Sequence, residues 1–269
     1  MAAIDAPAQA LLDGWADDLA SWAIPQEILD QAEEPPWAHA VSSFTVVGEE
    51  PDSPSHLRAR EALPNGGSVL DVGSGGGRAS SALIPPASMV VAVDHQQGML
   101  DAFADMATAR GARHHEYLGD WPDVADDAPE CDVVVCHHVA YNVPAIGPFL
   151  QALDAHAAHR VVLEVPARHP LSRLNPLWKH FWGIDRPTRP AAEDLVAICR
   201  ALGFDAQVEE WVDPAWANRA RMNDAEQADF TRRKLCLPAD RIDDVAAVLA
   251  AGPAEAPLPL ATIWWDVRR

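Results

Sequence analysis

The chain has few residues that can form covalent or metal cross-links. Its 269 residues include four cysteines, at positions 131, 136, 199 and 236, and no two of them have the CxxC spacing of a zinc site. Four cysteines are also too few to form a disulfide scaffold in a chain of this length. We therefore expect buried thiols in a reducing compartment and no metal centre.

Positive charge is also scarce. Twenty lysines and arginines stand against 40 aspartates and glutamates, which gives a formal net charge of −20. Such a surface repels polyanions unless a local basic patch overrides the net field. The two basic clusters, at residues 186–189 and 232–234, are short and lack interleaved aromatic residues that stack on bases. Nucleic acid is therefore disfavoured as a partner, and solvated helix faces explain both clusters.

Long apolar runs are absent as well. No stretch of the chain approaches the roughly 20 apolar residues that a membrane helix needs, so we expect no membrane partner. The first ten residues contain Asp5 and no basic cluster ahead of an apolar core, which is unlike a signal or transit peptide. These features predict a cytoplasmic protein.

Apolar segments alternate with helical patterns along the middle of the chain. Hydrophobic residues make up 49% and charged residues 22% of the composition, as in a folded globular protein. The spacing predicts strands at 68–72, 89–93, 115–118, 132–136, 160–165, 205–211 and 261–267, and helices at 78–83, 97–110, 145–159 and 191–202. This alternation predicts an α/β fold with a doubly wound, mostly parallel seven-stranded sheet.

The same pattern predicts three parts in the chain. Residues 1–65 form an N-terminal helical cover, with amphipathic helices within 9–32 and a short helix near His56. Residues 66–212 form the α/β core. Residues 213–269 form a helical insertion followed by the final strand, which completes the sheet.

The residues from Asp71 to Gly77 carry the strongest chemical signal. They read Asp-Val-Gly-Ser-Gly-Gly-Gly and come directly after a predicted strand and before a predicted helix. Glycines allow a tight turn and close approach of a ligand, while the helix start presents free N–H groups and a positive dipole. Asp94 closes the next strand, where a carboxylate that binds a ribose belongs. The pattern predicts a nucleotide-like ligand.

Two ligands compete for this turn. A nicotinamide dinucleotide requires Gly-x-Gly-x-x-Gly, but Arg78 or Ser80 stands at the third glycine position. Asp71 is unfavourable beside a pyrophosphate and favourable beside a sulfonium or an amino group. S-adenosylmethionine is therefore favoured, and an NAD-dependent oxidoreductase is the alternative.

These residues resemble the class I S-adenosylmethionine-dependent methyltransferases, whose first motif is an acid followed by x-Gly-x-Gly-x-Gly. The resemblance covers roughly residues 66–212 and implies that Asp71 lies at the methionine end of the cofactor and Asp94 at its ribose. Gly119, Asp120 and Trp121 resemble the family's adenine-side motif. The cofactor-binding residues implied are Asp71, Gly73, Ser74, Gly75, Asp94, His95, Asp120, Trp121 and His137.

The resemblance places the methyl acceptor near the loop after the fourth strand, Cys136 to Asn142. The catalytic candidates in this loop are His137, His138 and Tyr141. A neutral imidazole is a natural general base, but a histidine at a strand end often only caps a loop. Adjacent strand residues point in opposite directions, so we expect at most one of the two histidines to face a substrate.

The loop also departs from one branch of the family. The Asn/Asp-Pro-Pro-aromatic signature of amino-group methyltransferases is absent after the fourth strand, which disfavours methylation of adenine, cytosine or glutamine amides. The sequence thus predicts a methyltransferase that acts on a small molecule. The alternatives are an RNA or protein methyltransferase and a non-catalytic protein that binds S-adenosylmethionine.

Overall fold

A seven-stranded sheet forms the centre of the molecule. The computed structural model describes residues 5–36, 52–214, 222–252 and 256–268. The strands are β1 (Ser68–Val72), β2 (Met89–Asp94), β3 (Arg113–Leu118), β4 (Cys131–His137), β5 (Ala157–Pro166), β6 (Gln207–Trp211) and β7 (Leu260–Asp266). Their order in the sheet is β3-β2-β1-β4-β5-β7-β6.

Strand direction follows the predicted pattern. β1 pairs in parallel with β2 and β4, and β3 and β5 extend these parallel pairs outward. β7 alone runs antiparallel, to both β5 and β6. The predicted doubly wound, mostly parallel sheet is therefore confirmed. The strand order reverses between β1 and β4, and ligands bind beyond the carboxyl ends of strands at such a switch point.

Helices cover both faces and one end of the sheet. They are α1 (Ala6–Ala20), α2 (Gln26–Leu29), α3 (Pro54–Ala62), α4 (Arg78–Ser81), α5 (Gln97–Ala109), α6 (Ile146–Ala155), α7 (Asn175–Trp182), α8 (Ala192–Ala201), α9 (Asp224–Lys234) and α10 (Ile242–Ala251). α1 to α3 are the predicted N-terminal helices, and α9 and α10 form the predicted insertion before the last strand. Among the described residues, no helix is both long and apolar enough to span a bilayer.

Local sequence explains where the N-terminal helices begin. The Asp5 side chain accepts a hydrogen bond from the Ala8 N–H at 2.9 Å and so caps α1. Ser53 and His56 form a reciprocal capping pair at the start of α3. Both caps satisfy N–H groups that have no partner inside the helix. α3 then packs against β4 and β5, which brings its first turn to the carboxyl end of these strands.

The predicted boundary between α6 and β5 is wrong. The helix expected over residues 145–159 ends at Ala155, and β5 begins at Ala157. Ala157 pairs with Cys131 of β4, and the carbonyl of His159 accepts a hydrogen bond from the Val267 N–H at 2.9 Å. The alanine-rich run favours a helix by propensity, but pairing with neighbouring strands overrides that weak preference.

Apolar side chains fill three clusters. Two lie on opposite faces of the sheet, so that Leu70 joins one and Val69 the other, as a parallel sheet covered on both faces requires. The third lies among helices and joins Ile28 of α2, Trp178 of α7 and Val245 of α10. α7 belongs to the predicted core region, yet it packs with helices of both the predicted N-terminal cover and the predicted insertion. The division at residues 65 and 212 stays a prediction.

Candidate functional site

The glycine-rich turn after β1 is tight and crowded. Gly73, Gly75 and Gly77 all have positive φ angles, of 70°, 50° and 85°, which favour glycine because it has no Cβ. The Gly73 N–H donates to the carbonyl of Val93 at 2.8 Å. A Cβ on Gly73 would lie 2.3 Å from Cγ2 of Val139. Only glycine fits this position, where the turn passes beneath the loop that follows β4.

Asp94 fastens this turn to the end of β2. Its Oδ2 accepts from the Gly75 N–H and its Oδ1 from the Gln96 N–H, both at 2.9 Å. The residue is only 7% exposed. Each carboxylate oxygen can accept more than one hydrogen bond, so Asp94 retains capacity for ligand hydroxyls. The next residue, His95, is 63% exposed at its side chain, with Nδ1 3.9 Å from Asp94 Oδ1.

Asp71 lies beneath the turn and is almost fully buried. The Ser80 hydroxyl donates to its Oδ2 at 2.8 Å, whereas its Oδ1 is buried without a hydrogen-bond partner. Burial raises the pKa of Asp71 to about 7, against the lowering effect of the Ser80 hydrogen bonds. A cation nearby would favour the ionised form. Ser74, in the same turn, is also buried.

The segment after β3 adjoins Asp94. The Gly119 N–H donates to the Asp94 carbonyl at 3.0 Å, and the Asp120 side chain that follows is exposed. Trp121 instead packs into the core, where its ring meets the edge of His156 with centroids 4.9 Å apart. Its indole N–H lies 3.4 Å from the Phe149 carbonyl. The adenine contact implied for Asp120 and Trp121 stays a prediction.

The two histidines at the end of β4 occupy different environments. β4 ends at His137, and His138 has a φ of 62°, so strand alternation does not continue through the pair. The His138 side chain is 44% exposed, whereas His137 Nε2 is buried without a partner. Burial lowers the pKa of His137 to about 3, more than neighbouring Glu164 raises it. His137 is therefore neutral at pH 7.

Glu164 of β5 holds His138 in place, and the sequence analysis missed it. Its Oε1 lies 3.1 Å from His138 Nε2, and its carbonyl accepts from the His138 N–H at 2.7 Å. The Ser53 hydroxyl donates to Oε2 at 3.1 Å. Burial alone would raise the pKa of Glu164, but His137 and His138 outweigh burial and hold it well below its usual range. A glutamate in the apolar strand Val161–Pro166 was the available signal.

Tyr141 lies in a short 3-10 helix over Ala140–Asn142. Its ring meets the His169 ring edge-on, with centroids 5.7 Å apart. His169 stacks on Trp22 at 4.0 Å. Burial raises the pKa of the Tyr141 hydroxyl to about 12, so it stays protonated. Tyr141 thus begins an aromatic group, with His169 and Trp22, that the sequence did not predict.

The predicted residues converge on one edge of the sheet. The turn after β1, the end of β2, the turn after β3 and the end of β4 all lie at the carboxyl edge, because these four strands are parallel neighbours in the sheet. Among the described residues, no group of three or more His, Cys, Asp or Glu side chains is arranged to hold a metal ion. The four cysteines are free and buried, as predicted.

Comparisons with known proteins agree with this geometry. Residues 49–209 match a family model described as a methyltransferase domain. An uncharacterized protein of Haemophilus influenzae is 35% identical over 103 residues, a match that spans 38% of each chain.

Solved structures share the fold at low sequence identity. An S-adenosylmethionine-dependent methyltransferase from Thiobacillus denitrificans, in complex with S-adenosyl-L-homocysteine, has a TM-score of 0.54 at 17% identity, over 85% of this chain and 97% of that one. The YcgJ protein of Bacillus subtilis also has a TM-score of 0.54 at 17% identity, over 80% and 98%. Magnesium protoporphyrin IX methyltransferase from Synechocystis has a TM-score of 0.50 at 16% identity, over 79% and 78%.

The family match extends over more than half of the chain and includes both β1 with its glycine-rich turn and the His138–Glu164 pair. The Rossmann-like fold that Asp71 to Gly77 predicted is the fold of these relatives. The resemblance stated from the sequence is therefore confirmed, and the chain belongs to the methyltransferase domain family.

Proposed function

We propose that the protein transfers a methyl group from S-adenosylmethionine to a small molecule. One observation carries this proposal. The glycine-rich turn, Asp71 and Asp94 lie at the same edge of the sheet as His138, whose exposed side chain is paired with the buried Glu164. The family match supports the reaction class.

The side chains at this edge fit a cationic nucleoside. Asp71 Oδ1 is buried and unpartnered, and a carboxyl with a pKa of about 7 ionises readily beside a positive charge. Asp94 retains acceptor capacity for ribose hydroxyls. The residues that would hold the cofactor are Asp71, Gly73, Ser74, Gly75, Asp94, His95, Asp120, Trp121 and His137. When bound, the cofactor supplies an electrophilic methyl carbon on a positively charged sulfur.

His138 is the best placed of the three catalytic candidates to accept a proton. Its Nε2 donates to Glu164, which leaves Nδ1 as the unprotonated nitrogen of the neutral ring. Nδ1 can therefore take the proton from an acceptor hydroxyl or amine as the methyl group is transferred. His137 is neutral and its Nε2 is buried, so it is the less accessible base, and Tyr141 helps to orient the acceptor.

Methyl transfer needs little more from the protein than alignment and exclusion of water. We infer that the Val139 side chain over Gly73 and the aromatic residues beyond Tyr141 help to cover the acceptor. One relative with the same fold acts, by its name, on magnesium protoporphyrin IX. A net charge of −20 favours a small molecule over RNA. Four buried free cysteines favour a reducing compartment, the cytoplasm.

Two experiments test the proposal. Isothermal titration with S-adenosylmethionine and with NAD shows which nucleotide the purified chain binds, and binding of NAD alone would refute it. Lysate is then incubated with protein and radiolabelled cofactor. Label in a metabolite supports the small-molecule assignment, whereas label in tRNA, rRNA or protein supports the macromolecular alternatives. Cofactor binding without any transfer favours the non-catalytic alternative.

A further inference from the structure

Arg186 carries a charge that no carboxylate of the described chain neutralises. Its terminal nitrogens donate to the carbonyls of Ala23, at 2.8 Å, and Trp22, and its Nε is buried without a hydrogen-bond partner. The nearby Arg189, by contrast, pairs with Asp18 at 3.3 Å and with Asp194. In a chain with 40 acidic residues, the hydrogen-bond partners of this half-buried guanidinium among the described residues are backbone carbonyls rather than carboxylates.

Two tryptophan rings flank this guanidinium. Its Cζ lies 5.6 Å from the Trp22 ring centroid and 5.0 Å from that of Trp178. Such contacts stabilise a cation but do not supply a counter-charge. Asn175 donates to the carbonyls of Arg186 and Pro187, at 3.1 and 2.7 Å, while its own Oδ1 is buried and unpartnered. The Nε of Arg186 and the Oδ1 of Asn175 thus both lack a hydrogen-bond partner within the same segment.

This group is continuous with the proposed catalytic loop. Tyr141 follows His138 by three residues and contacts His169, which stacks on Trp22, which lies under Arg186. The rings therefore lead from the β4 loop to the guanidinium. A ligand bound against these rings would lie next to that loop.

Arg186, not His169, supplies the positive charge beside these rings. Burial, together with Arg186, lowers the pKa of His169 to about 4, so His169 is neutral at pH 7. The Arg186 side chain is half-buried: its Nε is shielded from solvent, while its terminal nitrogens lie nearer the surface. A planar carboxylate is the group that matches its fork of donors, and a flat apolar body suits the rings beside it.

We propose that Arg186, with Trp22, Trp178 and His169, binds the carboxylate of an aromatic acid, and that this acid is the methyl acceptor. The inference rests on the proposed methyl transfer, because it names the class of acceptor for the same site. A purely structural role for Arg186, tying the segment before α8 to the end of α1, is the competing explanation.

The test uses the full chain saturated with S-adenosyl-L-homocysteine and three matched probes: 4-hydroxybenzoate, 4-hydroxybenzamide and 4-hydroxybenzylamine. Ligand-observed NMR gives their relative affinities. We expect the carboxylate to bind about tenfold or more tightly than the amide, and the amine to bind most weakly. Arg186→Met should remove this preference and Arg186→Lys should retain part of it. Arg189→Met, which removes an exposed and already paired charge, should leave it unchanged.

Each outcome decides the inference. Equal binding of carboxylate and amide by the parent chain, or no binding of any probe, overturns it. Retention of the preference in Arg186→Met assigns the guanidinium a structural role only. If that variant melts at room temperature, the order of the probes on the parent and on Arg186→Lys still decides. Failure of S-adenosyl-L-homocysteine itself to bind contradicts the proposed function instead.

Discussion

At the scale of single residues, Gly73 combines two requirements that mutation can separate. Its φ of 70° disfavours any side chain, and Val139 fills the space that a Cβ would need. We expect Gly73→Ala to lower the free energy of unfolding by about 1–2 kcal/mol for the backbone and by about 1–3 kcal/mol more for overpacking. Urea unfolding measures the total.

A second glycine separates the two contributions. Gly111 has a φ of 74° and open space around its Cα, so Gly111→Ala should show the backbone penalty alone. Val139→Ala in the Gly73→Ala background should recover part of the difference. Equal losses for Gly73→Ala and Gly111→Ala would show that Val139 does not constrain the turn.

Asp94 offers a direct test of cofactor binding. Asp94→Asn replaces one carboxylate oxygen with an amide donor, which opposes the Gly75 or Gln96 N–H that it now faces. We expect affinity for S-adenosyl-L-homocysteine to fall about tenfold or more, because hydrogen bonds to charged groups contribute about 1.5–3 kcal/mol each. Titration calorimetry measures it. Asp101→Asn is the control, since Asp101 is an exposed residue of α5 and accepts a hydrogen bond from Gln97. Equal affinity in both variants would exclude the ribose contact.

Asp71 predicts a specific pH dependence. The folded chain holds its proton up to a pKa of about 7, whereas the unfolded chain releases it near the ordinary value of 3.8. Between these values the unfolded state binds fewer protons, so the contribution of Asp71 to stability falls as pH rises. Asp71→Asn lacks this loss and should gain on the parent by about 1 kcal/mol per pH unit from pH 5 to 7. Parallel urea unfolding of both proteins checks this, and a constant difference would contradict a buried, protonated Asp71.

The positions of Asp71 and Asp94 near the carboxyl ends of β1 and β2 were predictable because they follow from spacing along single strands. Glu164 was not, because its partnership with His138 depends on the pairing of β5 beside β4, where His137 lies opposite Glu164. A sequence pattern on one strand does not report which residue stands across from it. The φ of 62° at His138 is likewise set by the contacts of the loop.

At the scale of secondary structure, α1 lies before the residues that match the family model yet contributes to the site. Trp15 is 3% exposed, and its indole N–H donates to the Val143 carbonyl of the β4 loop at 2.8 Å. We expect Trp15→Phe to cost about 1 kcal/mol for the hydrogen bond and Trp15→Ala about 3–5 kcal/mol for the lost packing. Chemical unfolding measures both.

Leu11 of the same helix is 40% exposed and provides the matched control. Leu11→Ala should change stability by less than about 0.5 kcal/mol. If Trp15→Ala behaves like Leu11→Ala, α1 does not pack on the β4 loop in solution.

Elements whose sequence has one clear hydrophobic period were predicted well, whereas the boundary between α6 and β5 was not. β1 has the predicted bounds, Ser68–Val72, because a short apolar run between turns leaves little choice. The boundary between α6 and β5 was misplaced because Ala157 and its neighbours have helical propensity, while their strand partners, Cys131 and Val267, are distant in sequence. Helical propensity depends on neighbouring residues along the chain, so it does not reflect partners that are distant in sequence.

At the scale of the whole molecule, alternation of strands and helices predicts the sheet because right-handed crossovers leave few ways to connect parallel strands. The group of aromatic rings around Arg186 is a different case. It joins the end of α1, the segment after β5 and the segment before α8. Such a group forms only when the helical cover packs, so composition revealed the tryptophans but not their arrangement.

The charge of the whole molecule gives the last prediction, that the protein does not bind tRNA. The net charge is −20, and in each basic cluster an arginine is already paired with carboxylates: Arg232 with Asp229 at 2.9 Å, and Arg189 with Asp18 and Asp194. Phosphate contacts dominate affinity for nucleic acids, and an acidic field opposes them within a screening length of about 10 Å at 0.1 M salt.

We therefore expect no retardation of tRNA in a gel-shift assay at 0.1 M salt, with or without S-adenosyl-L-homocysteine, and no transfer of label to it. An unrelated basic protein serves as the positive control for the assay. Binding that weakens steeply as salt rises would mean that phosphates reach a positive surface despite these ion pairs, and the acceptor would then be sought among RNAs rather than aromatic acids. Absence of binding would agree with the assignment of Arg186 to a single carboxylate, because an acidic exterior opposes a polyanion more strongly than a small acid.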